Sequence, residues 1–129
     1  MNLAKLKSSN PFCFGYLMAA FWTYDDNAPS GEYSDSGRPE IMFERLSAEA
    51  LLKAINTCAN FQENNLKVLS LAGDDEQNGH DLWLTRNRHG AGYWDRGYSD
   101  EIADALTDAA HKLGESDLYT GYDKRLYLS

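Results

Sequence analysis

The side chains best equipped for chemistry gather in one stretch, GHDLWLTRNRHGAGYWDRG at positions 79–97. It holds His80 and His89, Trp83 and Trp94, and the arginines Arg86, Arg88 and Arg96 around a glycine-rich turn. Histidine titrates near neutrality, so His89 with Asp95 could pass a proton while Arg86 or Arg96 steadies an anion. Gly90 and Gly92 would let backbone N–H groups approach a ligand closely. Arg86, Asn87, His89 and Arg96 are therefore the candidate ligand-binding residues, suited to a nucleotide or another phosphorylated small molecule. His89 and Asp95 are the alternative catalytic pair, and the primary reading assigns no catalytic residue. Each feature also has a folding explanation, since tight turns need glycine and Arg with Asp at cross-strand distance forms a structural ion pair. Trp83, Tyr93 and Trp94 could stack a base, but aromatics on an element packed against helices usually belong to the core.

Two other chemistries fit less well. His80 and Asp81 follow Asp74, Asp75 and Glu76, a set able in principle to hold a divalent ion. Adjacent strand residues point to opposite faces, so the pair would not converge, and the acidic triplet reads as a solvated turn. No metal and no cofactor is expected. Nucleophilic catalysis lacks a serine or cysteine in the stretch, and Cys13 and Cys58 sit among apolar residues as two core thiols.

Positioning these residues requires a scaffold. The alternation of Asp81, Trp83, Thr85 and Asn87 with Leu82, Leu84 and Arg86 predicts a strand, with residues 93–96 returning as its hairpin partner. A short polar arm at residues 1–9 precedes Asn10, an N-cap with Pro11 at the first helical position. The helix runs to about Tyr24 with Phe14, Leu17, Met18, Phe21 and Trp22 on one face, although the segment also reads as a buried strand weakened for helix by Gly15. Residues 25–38, rich in Asp, Ser, Gly and Pro, read as an acidic surface loop. Pro39 to Leu46 leads into a second helix, capped by Ser47, with Leu51, Leu52, Ile55, Cys58, Ala59 and Gln62 along one side. It resumes after Asn64 and Asn65 and ends at Gly73. Ser99 caps a third helix with the stripe Ile102, Leu106, Ala109, Ala110 and Leu113, closed by Gly114. The tail reads as a second hairpin or an edge strand. The expected fold is one α+β domain over residues 1–129, a small antiparallel sheet of two hairpins packed against about three helices.

Charge narrows the partners. A formal net charge of −8 argues against holding nucleic acid through its phosphates, so no direct nucleic-acid binding is expected. No apolar run approaches the roughly 18 residues of a membrane span, and no secretory signal is read at the start, which points to an intracellular protein. The acidity is concentrated in residues 25–49 and 100–117. Asp25, Asp26, Glu32 and Asp35, with Asp100, Glu101, Asp104 and Asp108, are the candidate contacts to a basic partner. Such an anionic surface can imitate the phosphates of nucleic acid and occupy the basic channel of a nuclease or restriction complex.

The segment with His80-Asp81, Trp83, LTRN, HGAG and WDR resembles a signature of small proteins from bacteriophages, prophages and other mobile elements. Their chains similarly carry an aromatic N-terminal helix, an acidic loop, a central helix, a DD-E/Q turn before the motif and an acidic helix with an aromatic tail after it. The resemblance implies an accessory gene product acting in a bacterial cytoplasm, with no activity attached to the family as a whole; the loop at 25–38 departs most from the pattern. The sequence-level conclusion is a non-enzymatic protein that binds a host protein or complex in defence or nucleic-acid processing. The alternatives are a ligand-binding or enzymatic hairpin and a homo-oligomer joined through the C-terminal hairpin edge.

Overall fold

The computed structural model describes residues 1–24 and 38–129. In chain order these form α1 (Leu3–Ser9), α2 (Pro11–Thr23), α3 (Pro39–Arg45), α4 (Ala48–Asn64), α5 (Leu66–Ser70), α6 (Asp75–Arg86), a 3₁₀ turn (Tyr93–Asp95), α7 (Asp100–Lys112), β1 (Leu118–Thr120) and β2 (Leu126–Leu128). The described residues are mainly helical, and their only sheet is the antiparallel β1–β2 pair, Leu118 facing Leu128 and Thr120 facing Leu126. The expected sheet of two hairpins is thus overturned, because the first hairpin does not exist.

The stretch read as that hairpin begins with α6. Asp74 is its N-cap, accepting from the Gln77 N–H at 2.8 Å, and Asp75 and Glu76 complement the positive end of the helix. The acidic triplet is therefore a helix start rather than a solvated turn. From Asp81 to Arg86 every residue is buried. A helix enclosed on all sides shows no polar face, so its apolar residues fall by chance into a two-residue alternation. Enclosure comes chiefly from α2, which crosses α6 with almost no gap. A β-carbon on Gly79 would overlap the Phe12 carbonyl oxygen, and one on Gly15 the Glu76 carbonyl oxygen. Gly15, a weak residue for a helix taken alone, is what lets two helices meet.

The remaining helices start where their caps predict. Asn10 accepts from Cys13 N–H at 3.2 Å, Ser47 from Ala50 N–H at 3.0 Å and Ser99 from Ile102 N–H at 3.4 Å. The N-terminal arm is also helical: Asn2 caps α1 and Leu6 is buried. The inward face of α4 differs from the one expected. It buries Ala50, Ala54, Cys58 and Phe61, while Leu52 is exposed, because the small alanines allow closer packing than a leucine stripe. On α2, Trp22 is 70% exposed although Phe21 beside it is buried. Cys13 and Cys58 are buried free thiols, and burial pushes the Cys58 thiol well above its usual range.

The core joins these elements through aromatic contacts. Tyr93 is fully buried with its ring 6.5 Å from that of Phe61, and Tyr16 meets Trp83 edge-on at 5.2 Å. The C-terminal hairpin forms as expected, and β2 is tied to the body where Ser47 N–H donates to the Leu126 carbonyl at 2.9 Å.

Candidate functional site

The polar side chains of residues 79–97 mostly turn inward and hold the chain together. Asp81 is completely buried, and Arg96 grips its carboxylate with Nε at 3.0 and 3.2 Å and Nη2 at 2.6 Å. Gln77 Nε2 donates to the same carboxylate at 3.1 Å. The hydrogen bond to Asp81 raises the Arg96 guanidinium above its usual range. The pair links the middle of α6 to the segment after the 3₁₀ turn. Arg86 is only 9% exposed; it donates to Tyr16 Oη at 2.9 Å, to the Gly114 carbonyl at 2.9 Å and to the Leu113 carbonyl at 3.2 Å. It therefore neutralises the negative end of α7 from across the core. Burial pushes the Tyr16 hydroxyl up to about 12, so it stays protonated beside this cation.

Asn87 acts as a clasp between distant segments. Its Nδ2 donates to the Trp83 carbonyl at 3.0 Å, and its Oδ1 accepts from Ser116 N–H at 2.8 Å. Thr85 Oγ1 accepts from Tyr93 N–H at 3.2 Å, and the Tyr93 hydroxyl donates to the Asn78 carbonyl at 2.7 Å. Asp95 Oδ2 accepts from Gly92 N–H at 3.1 Å, closing the 3₁₀ turn. Three of the four candidate ligand-binding residues, Arg86, Asn87 and Arg96, are thus engaged in folding contacts. Asp95 caps its own turn rather than bonding His89, so the two form no acid/base pair.

The turn itself follows helix-end geometry. His89 N–H donates to the Leu84 carbonyl at 3.0 Å and Arg88 N–H to the Thr85 carbonyl at 3.1 Å, a Schellman closure. The left-handed position of that closure is Arg88, at φ 56°, not one of the glycines. Arg88→Gly is therefore expected to stabilise the fold by about 0.5–1 kcal/mol, read as a raised urea midpoint with unchanged slope.

His80 stands apart from His89. Its ring lies 6.3 Å from that of Trp22, and its Nδ1 is buried without a hydrogen-bond partner among the described residues. Burial lowers its pKa, with Arg96 also opposing the cation and Asp81 and Glu76 favouring it. The unfolded chain then takes up this proton first, near pH 6.5, so stability falls as pH drops from there towards the depressed folded value. His80→Gln should flatten the decline in melting temperature between about pH 7 and 5.5 relative to wild type.

Among the described residues, no group of three His, Cys, Asp or Glu side chains is placed to hold a metal ion. No family model, curated protein or solved structure matches the chain. No described helix is long and apolar enough to cross a membrane.

Two outward features among the described residues bear on binding. Asp100, Glu101, Asp104 and Asp108 are all exposed on α7, whose other side buries Ala103, Leu106 and Ala110. The remaining partner candidates, Asp25, Asp26, Glu32 and Asp35, lie outside the described residues. The second feature is a cleft where α2 and α6 end, lined by Thr23, Tyr24, Trp83, His89, Glu115 and Asp117 among others. Glu115 and Asp117 were not among the sequence candidates. They reach the cleft because Asn87 pins Ser116, a contact 29 residues apart that no local pattern signals.

Proposed function

We propose that the protein is a non-enzymatic accessory factor of a phage or mobile element that binds a basic surface on a host protein or complex, one that processes or restricts nucleic acid. The observation that carries this reading is the outward ridge of α7. Asp100, Asp104 and Asp108 recur every fourth residue, which places successive carboxylates about 6 Å apart along the axis. That is a regular anionic ladder, near every second charge of a nucleic-acid strand at roughly 3.4 Å per phosphate. The folding contacts of Arg86, Asn87 and Arg96 support the same reading, because they occupy three of the four residues on which the phosphate-binding alternative depends.

The test is capture from a bacterial lysate with tagged wild type and with a variant carrying Asp100→Asn, Glu101→Gln, Asp104→Lys and Asp108→Lys. The first two changes are neutral so that the helix start keeps no repulsive charge. A specific host protein should be retained at low salt, released steeply as salt rises and lost with the variant, whose melting temperature stays within a few degrees of wild type. Retention that is indifferent to salt and to the variant contradicts the proposal.

A further inference from the structure

The cleft at the ends of α2 and α6 is where polar groups with no folding duty converge. His89, Glu115 and Asp117 line it, and none of these side chains has a hydrogen bond or ion pair among the described residues. Its volume is about 350 Å³. This lies at the small end of the roughly 300–1,000 Å³ found for ligand sites and suits a head group of side-chain size. Ala20, Trp83 and Leu118 add apolar wall. The Trp83 indole is fixed in place, its Nε1 donating to Thr23 Oγ1 at 2.9 Å.

The charged groups of the described lining favour a cation. Thr23 and Tyr24 are the last residue and C-cap of α2, so its negative end faces the cleft beside two carboxylates. The negative end of α7 is already met by Arg86, and the lining includes no lysine or arginine among the described residues. A bare metal ion does not fit, because no three acidic, histidine or cysteine side chains among the described residues converge tightly enough. A polyatomic cation on an alkyl stem uses the whole surface: carboxylates and an imidazole nitrogen accept its N–H groups, and the aromatic and apolar wall covers its stem. We infer that this cleft binds an alkylguanidinium or alkylammonium group. That its bearer is an arginine or lysine side chain of the partner rests on the proposed function; the preference for a cation rests on the cleft alone.

The test is an NMR titration of the ¹⁵N-labelled full chain with three probes: Nα-acetyl-arginine N-methylamide, agmatine and the neutral citrulline counterpart of the first. Both cations should shift the Trp83 indole N–H and the amides of residues 115–118 saturably, while the Trp22 and Trp94 indoles stay still. The citrulline probe should not. Glu115→Gln with Asp117→Asn should weaken binding about tenfold or more, with a spectrum otherwise that of the folded protein. Binding of agmatine alone would overturn the assignment to a partner side chain and give the site to a free diamine. Equal binding of citrulline, an unaffected double variant or no shift with either cation overturns the inference. The α7 variant should bind the probes normally. If it loses the host protein while no probe binds wild type, the cleft proposal falls and the proposed function stands.

Discussion

Gly79→Ala is expected to destabilise the protein by about 3 kcal/mol or more, a large fraction of the stability of a typical domain. In an ordinary helix interior the same change is favourable by roughly 0.5–1 kcal/mol, since alanine is the better helix former. The sign reverses because the added methyl overlaps the Phe12 carbonyl oxygen, a backbone atom that cannot swing aside. Relieving the overlap requires α2 and α6 to separate, which loosens the contact between Tyr16 and Trp83 and pulls Arg86 from Tyr16. Gly15→Ala meets the Glu76 carbonyl and should behave in the same way. A methyl added at Gly90 would have no neighbour within 4 Å among the described residues, so Gly90→Ala should stay within about 0.5 kcal/mol of wild type. Urea unfolding of the three variants decides the matter, and a stabilised Gly79→Ala protein would mean that the helices do not touch as described.

Arg96→Ala is expected to cost about 3–5 kcal/mol, because it strands a buried carboxylate. Asp81 has no exposure of its own, and after the change only the neutral Gln77 amide among the described residues still addresses it. Arg96→Lys keeps the charge but loses the two-pronged grip, so an intermediate loss follows. The double variant Asp81→Leu with Arg96→Met removes both charges and should recover much of the stability, since the expense lies in the unpaired ion rather than in the missing pair. A double-mutant cycle measured by urea unfolding checks this. Additive losses would show that Arg96 and Asp81 are not coupled.

What the sequence disclosed follows from how local each signal is. Caps act within three residues, so Asn10, Ser47 and Ser99 announced their helices correctly, and Gly114 at φ 74° marked the end of α7. α6 was hidden although its cap, Asp74, stood in plain view. With Asp81 to Arg86 all buried there was no polar face to give a period of 3.6, and a charged aspartate and arginine inside the core argued for surface strands. The partner of Arg96 was equally obscure. Asp95 is its neighbour in sequence, but the buried carboxylate it grips is Asp81, 15 residues away across a turn. The acidic face of α7 was legible because amphipathic spacing alone defines it. The cleft was not, since Thr23, His89 and Asp117 meet only through tertiary contacts.

If residues 79–97 hold the fold while the outward carboxylates of α7 hold the partner, the two roles separate under mutation. The most direct measurement is the amount of host protein captured per folded molecule, taken below the melting point for the α7 variant and for Arg96→Ala. The α7 variant should lose capture with its melting temperature preserved, and Arg96→Ala should melt earlier yet capture normally while folded. Capture lost by folded Arg96→Ala and kept by the α7 variant would contradict this division of labour.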